Sequence, residues 1–215
     1  MVRKTKADAY KTRQLLIETA ITQFALRGVA STTLTDIAQA AGLTRGAVYW
    51  HFTCKSALFN AIWREQLPLG ELIKDRLVLQ PHDDPLQMLR EKFITALQYI
   101  ARDPRQRSLM QILYHKCEFD NDMISEHDIR QRIGFNYENV RLILKKYLSQ
   151  GVISPAIDID LALVVFHAFF SGIIKNWLMN NESFDLYSQA PALVDNILAT
   201  LQLQRISPDV YSQAS

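Results

Sequence analysis

The 215-residue chain reads as all-α. Apolar residues recur every three to four positions along most of it, and no run sustains the period-two alternation of a half-buried strand. Glycine and proline are sparse, seven of each, so the elements run long. The glycines and prolines that do occur fall mostly where helices start or stop.

In TRQLLIETAITQFALRG, Leu16, Ala20 and Phe24 recur at i, i+4 and i+8, with Ile17 and Ile21 beside them, so the first helix buries that face. Gly28 stops it. Thr33 caps a short second helix, with Asp36 three residues on in a variant capping box, and Gly42 ends it. Thr44 caps a third helix that runs to about Phe52, and a fourth covers 55–66 before Pro68. Asp84-Pro85 and Asp103-Pro104 each set a carboxylate at the cap and proline at the first helical position, which predicts helices over 85–102 and 104–117. The acidic stretch EFDNDMISEHD, 118–128, reads as a loop or a frayed helix start. A long helix is expected over 126–149, ending at Gly151. A loop over 151–159 contains Pro155. Asp160 then opens an apolar helix over 160–179. A last helix covers 189–203, with Pro191 in its first turn, and the last dozen residues read as a tail.

The net charge is only +2, but it is unevenly placed. Residues 1–66 hold nine Lys/Arg against four Asp/Glu, a net +5, and the remainder is net −3. That asymmetry predicts a basic module meeting a polyanion, joined to a module that does not. The two cysteines, Cys54 and Cys117, have no spacing of a disulfide framework or zinc site. The basic N-terminus lacks the apolar stretch of a signal peptide, and the run LALVVFHAFFSGII, 161–174, is short for a membrane span and contains His167. The expectation is a soluble, reduced, cytoplasmic protein with no membrane partner.

Residues 34–52, LTDIAQAAGLTRGAVYWHF, carry the most specific pattern. Ala38 is small enough for two helices to cross closely, and Gly42 supplies the left-handed backbone of a tight turn. Ile37, Ala41, Leu43 and Val48 bind the pair to the first helix. This is a helix-turn-helix, against the alternative of an ordinary helical hairpin. With Val48 set at 0° on the second helix, Phe52 lies at about 40° and packs inward, whereas Gly46 and Trp50 lie near 160° and 200°, away from the core. Gly46 and Ala47 permit close approach to base edges. Arg45 reaches either the O6 and N7 of guanine or a phosphate, and Tyr49 meets a thymine methyl or a phosphate. Trp50 and His51 donate to phosphates, or instead Trp50 packs under the adjoining domain and His51 caps a neighbouring helix. Lys55 adds a phosphate contact at the next helix start, and Arg3, Lys4 and Lys6 add a salt-dependent, sequence-blind term or are a solvated tail.

The stretch 12–63, with V-Y-W-H-F-x-x-K-x-x-L-F as its specific part, resembles the DNA-binding domain of TetR-type repressors. RKTKADAYKTRQ at the start, ILYHKCEF at 112–119 and SGIIKNWLMNNESFDL at 171–186 resemble the AcrR branch, which represses multidrug efflux-pump genes. The resemblance implies a helix-turn-helix domain over 1–53, a larger ligand-binding and dimerisation domain over 54–205 joined through helix 55–66, and a tail over 206–215. Carried over by residue, it implies recognition contacts at Thr35, Arg45, Gly46, Ala47 and Tyr49, and phosphate contacts at Thr44, Trp50, His51 and Lys55. Cys54 departs from the polar or charged residue more usual before that lysine. The resemblance also implies a homodimer through helices 160–179 and 189–203 on palindromic double-stranded DNA. The sequence supports the dimer independently, because LALVVFHAFFSGII is apolar almost all round and needs cover on nearly every side. The alternative is one buried core helix in a monomer.

An effector cavity for small hydrophobic molecules is implied as well, with Trp63, Leu67, Phe93, Ile112, Leu113, Phe135, Phe166, Phe170 and Trp177 as its candidate lining. Tyr99, Leu109 and Tyr114 are further candidates, and Gln111, Gln131 and His167 are the polar groups that would orient a ligand. Aromatics at helical spacing read equally well as plain core. No cofactor or metal is expected: His115-x-Cys117 has no second pair, the acidic stretch lacks the glycine and final glutamate of a calcium loop, and no nucleophile or phosphate-loop motif occurs. An enzyme is therefore disfavoured. A transcriptional activator and a sequence-blind architectural DNA binder of the same fold remain as alternatives.

Overall fold

The local capping signals set the architecture, seen here in a computed structural model that describes residues 6–77, 85–133, 137–151 and 153–203. The helices are α1 (Lys6–Arg27), α2 (Leu34–Ala40), α3 (Arg45–His51), α4 (Lys55–Arg64), the short α5 (Leu69–Leu72), α6 (Pro85–Arg102), α7 (Pro104–Gln111), α8 (Glu126–Ile133), α9 (Tyr137–Ser149), α10 (Ile159–Met179) and α11 (Leu186–Leu203). A 3-10 turn follows α5 at Lys74–Arg76, and a π-helical turn follows α7 at Ile112–Lys116. No strand occurs among the described residues.

The chain divides into two units, residues 1–68 with 103–134, and residues 69–102 with 135–215. In the first, the predicted stripe of α1 is the core: Leu16, Ile17, Ala20, Ile21 and Phe24 are buried, together with Ile37, Val48, Leu58, Phe59, Ile62 and Trp63 from α2, α3 and α4. Each Leu, Ile, Val or Phe among them contributes about 1.5–3 kcal/mol by leaving water. The α4 helix is fastened along its length. At its start Cys54 Sγ accepts the Ala57 amide at 3.4 Å. At its middle Asn60 donates to the Asp122 carbonyl (2.9 Å) and accepts from the Ile124 amide (2.7 Å). Beyond its end Gln66, nearly fully buried, accepts from Arg105 at 2.6 Å, and Arg105 also grips Glu18 of α1.

In the second unit α11 packs along α6, and Arg90 donates to both Asp195 oxygens (2.6 and 2.9 Å). Phe93 of α6 stacks with Phe166 and Phe170 of α10, at centroid distances of 5.9 and 4.2 Å. The α10 helix buries one face through Ala162, Leu163, Phe166, Phe170, Ile174 and Trp177. Its other face is open: Leu161, Val164, Val165 and Met179 are 60, 63, 44 and 70 % exposed. At 21 residues it is longer than the apolar run alone, and by length and composition it could cross a membrane. The core helix of a soluble protein can be as long and as apolar.

Several expected boundaries move, each for a local reason. The helix expected over 104–117 ends at Gln111 and widens into the π turn, which brings the Lys116 carbonyl to the Val29 amide (2.8 Å). The helix expected over 126–149 is seen as α8 and α9, with 134–136 outside the described residues. Asp158, not Asp160, caps α10, accepting from the Asp160 and Leu161 amides, and the Asp160 carboxylate instead pairs with Arg141. The α11 helix starts at Leu186, capped by Asp185, so Pro191 lies inside it. Proline at 191 leaves the Tyr187 carbonyl without its helical partner, and the Gln98 side-chain amide donates to it at 3.3 Å. The segment 69–76, not foreseen as helical, folds into α5 and the 3-10 turn. Arg3, Lys4, Phe135 and the tail lie outside the described residues.

Candidate nucleic-acid interface

The α2 cap is reciprocal: the Thr33 amide donates to Asp36 (2.8 Å) and the Asp36 amide to Thr33 Oγ1 (3.1 Å). These Thr33 hydrogen bonds, helped by Arg27 nearby, hold the Asp36 carboxyl below its ordinary range. Asp36 is thus the depressed-pKa case: its support of the cap is present above the ordinary carboxylate range and is lost as pH falls through the lowered value. The turn closes as expected. Gly42 sits at φ +67°, a conformation any L side chain resists, and the Leu43 amide donates to the Ala38 carbonyl at 2.9 Å. Ala38 is buried beneath this crossing.

Thr44 Oγ1 accepts the Ala47 amide at 3.2 Å and starts α3. Val48 is fully buried and Phe52 is 4 % exposed, with the Arg13 guanidinium 5.2 Å over the Phe52 ring. The angular division therefore holds. Trp50 is 72 % exposed, so it faces outward rather than packing beneath a neighbour. Its ring meets His51 edge-on at 4.4 Å. Thr35, Thr44, Arg45, Gly46 and Tyr49 are exposed, and Ala47 and His51 are half-buried. An added Cβ at Gly46 would meet only Thr44 Oγ1, at 4.0 Å, so this surface lets a partner come close.

Two features of this surface were not legible beforehand. The Arg45 guanidinium lies 5.2 Å over the Tyr49 ring, so residues assigned separate contacts share one geometry. No composition signal points to it; the i, i+4 spacing of an arginine and an aromatic is its only trace. Lys55 is the second. Its ammonium donates to the Val29 carbonyl (2.7 Å) and the Ala30 carbonyl (3.1 Å), so two of its three donors are taken inside the chain. Arg45→Ala is expected to relax base preference at one position of a randomised-site selection, by about 1–3 kcal/mol. Equal loss on all sequences would favour a sequence-blind binder.

The candidate effector residues divide between the units. Trp63, Ile112 and Leu113 are buried in the first, where Leu67 is instead 57 % exposed. Phe93, Phe166, Phe170 and Trp177 are buried in the second. Trp63 is fully buried beside Phe59, yet among the described residues its Nε1 donor has no hydrogen-bond partner. Such an orphan costs about 1–3 kcal/mol and calls for an acceptor. The orienting candidate Gln131 borders an open cleft of about 730 Å³ with Asn60, Arg64, Asp122, Ser125 and Arg132.

Burial, with Asp120, Glu126 and Glu118 nearby, pushes the Cys117 thiol up to about 11. Cys54 is exposed. Thiol labelling at pH 8 is expected to be biphasic, because roughly a thousandth of Cys117 is thiolate there. Cys54→Ser should remove the fast phase, and a fast phase persisting in that variant would contradict the raised thiol of the half-buried Cys117.

Residues 16–62 match the family described as bacterial regulatory proteins, tetR family, and residues 84–203 match the C-terminal region of the MAATS-type transcriptional repressors. The chain is 54 % identical over 198 residues to the probable acrEF/envCD operon repressor of Escherichia coli K12, covering 92 % of this chain and 90 % of that one. Its fold is similar to the crystal structure of NalD, the secondary repressor of the MexAB-OprM multidrug efflux pump in Pseudomonas aeruginosa, with TM-score 0.75 and 30 % identity over 91 % of this chain and 98 % of that one. It is also similar to the SmeT–triclosan complex, with TM-score 0.68 and 28 % identity over 88 and 91 % of the two chains. SmeT is the repressor of the Stenotrophomonas maltophilia multidrug efflux pump SmeDEF. With both halves matched and a close relative along nearly its whole length, the chain belongs to the TetR family of bacterial transcriptional regulators.

Proposed function

We propose that this regulator is a cytoplasmic, ligand-responsive repressor of a multidrug efflux operon, binding a palindromic operator as a homodimer and leaving it when a small hydrophobic effector binds. The observation that carries the reading is the outward face of α3. It sets small Gly46 and Ala47 beside Arg45, Tyr49 and the 72 %-exposed Trp50, an exposed surface with a core residue on its back. Arg45 and Tyr49 read bases; Thr44, Trp50 and His51 hold phosphates, with Lys55 lending the donor it has left. Thr35 adds a contact from α2.

The open face of α10 supports the homodimer. Leu161, Val164, Val165 and Met179 form an apolar surface rarely left in water unless it meets a partner. The helix-turn-helix gives each subunit one half-site, and a two-fold dimer demands a palindrome. The orphan indole N–H of Trp63 supports the effector: a ligand supplying a hydrogen-bond acceptor there would remove an existing penalty. The efflux assignment rests on what the similar repressors from Pseudomonas aeruginosa and Stenotrophomonas maltophilia control. It is tested by titrating the purified protein onto DNA upstream of its own gene and of neighbouring transporter genes, against random DNA at equal salt. Preference of a thousandfold or so for one of these sites is expected. Equal affinity for random DNA would replace this reading with the architectural one.

A further inference from the structure

The loop from Gly28 to Thr33, which connects α1 to the helix-turn-helix, is held from three sides. Thr32, fully buried, donates through Oγ1 to the Gly28 carbonyl at 2.7 Å, which closes the loop on itself. The Lys55 ammonium, from the start of α4, bridges the Val29 and Ala30 carbonyls at 2.7 and 3.1 Å. The Val29 amide donates at 2.8 Å to the carbonyl of Lys116, the last residue of the π turn. Gly28 enters the loop at φ +91°, and a Cβ there would meet that same Lys116 oxygen at 3.6 Å. One hydrogen-bonded chain therefore runs from the π turn through Val29 to Lys55. Thr33 follows at the loop's end and caps α2.

A π turn is rare, and such turns are found frequently at functional sites. This one sits at an informative place. Its first two residues, Ile112 and Leu113, are buried apolar side chains that follow α7 directly, and its last residue holds the loop. Relaxing the turn to α geometry passes its extra residue onward and turns the following carbonyl by roughly 100° about the helix axis. The Val29 amide then loses its acceptor, and Lys55 is left to hold the loop alone.

We propose that the π turn Ile112–Lys116 is the regulatory joint of the DNA-binding half, with the Lys116 carbonyl and the Lys55 ammonium as the two hands that fix the 28–33 loop and, through it, the angle of α2 and α3. In this proposal Lys55 is first a positioning residue and only second a phosphate contact. The regulation, though not the clamp, rests on the ligand-responsive reading above: an effector that displaces Ile112 or Leu113 acts on the joint and loosens the operator-binding form.

Hydrogen exchange at the Val29 amide reads the joint directly, since protection there reports the bond to Lys116. In free protein, Lys55→Met is expected to speed exchange of the 28–33 loop at least tenfold while the buried amides of α1 keep their rates. Gly28→Ala, which strains the same joint without touching Lys55, should act in the same direction if Lys55→Met fails to fold. A lysine that only contacts phosphate would lower the salt dependence of operator binding and leave loop exchange unchanged, and that result overturns the clamp. The second arm uses wild-type protein saturated with anilinonaphthalene sulfonate, a hydrophobic anionic dye that does not intercalate in DNA, binding being followed by the dye's own fluorescence. Release of the operator with at least tenfold faster exchange at Val29 supports the joint. Release with Val29 exchange unchanged overturns it while leaving a ligand-responsive repressor. Dye bound without operator release counts against the ligand-responsive reading, and the clamp still stands or falls on the first arm.

Discussion

Val164→Asp is expected to convert the protein to a monomer and to lower operator affinity at least a hundredfold. Val164 is 63 % exposed on the open face of α10, between Leu161 and Val165. The substitution therefore disturbs little within one subunit, and surface changes of this kind stay within about 0.5 kcal/mol of the starting stability. Placed in a two-fold interface, the same carboxylate is buried twice without a partner, at a cost of several kcal/mol. Losing the dimer uncouples the two recognition helices, and each half-site must then be bound alone. Sedimentation of the variant gives the association state, and an operator titration gives the affinity. A variant that remains dimeric and binds normally would place the subunit contact elsewhere.

Phe24→Ala is expected to produce the complementary defect. Phe24 is fully buried on α1 and meets the Phe59 ring of α4 at 6.4 Å. Truncating such a ring costs about 3–5 kcal/mol, because the cavity left behind does not fully collapse. In a protein of this size that lowers the melting temperature of the affected unit by roughly 10 °C. The core joining α1 to α4 is what supports the helix-turn-helix, so operator binding should be lost at growth temperature. The second unit, whose core is the Phe93–Phe166–Phe170 stack, should keep the subunits together. Sedimentation and operator titration of this variant should therefore give a dimer that does not bind, where Val164→Asp gives a monomer that does not bind. A monomeric Phe24→Ala protein would mean that the two units depend on each other for association.

The helix-turn-helix was readable in the sequence because each of its parts has a local cause. Gly42 is the one residue type that tolerates φ +67°, Thr33 and Asp36 cap each other across three positions, and the wheel sends Val48 inward and Trp50 outward. Helix ends were less readable where several carboxylates compete. Asp158 and Asp160 are both plausible caps, and only the reach of Arg141 to Asp160 decides between them. Pro191 marked a helix start by rule, but Asp185 caps six residues before it and Gln98 takes up the carbonyl that the proline leaves open.

The candidate site splits the same way. Outward residues of α3 follow from periodicity. The second role of Lys55 does not, because its partners are backbone carbonyls 26 and 25 residues away, which no side-chain pattern records. Asn60, which ties the middle of α4 to residues 122–124, was missed for the same reason. The effector residues were least legible. Leu67 is exposed, and Trp63 differs from an ordinary core tryptophan only through its unpartnered N–H, a property of coordinates rather than of spacing.

The most direct test is a footprint of the pure protein on its own upstream DNA, with and without a saturating hydrophobic dye. The account predicts a protected palindrome whose half-sites are separated by about 34–36 Å or a multiple of it, erased when the dye binds. Protection spread evenly along the DNA, or a footprint unchanged with the dye demonstrably bound, would contradict it.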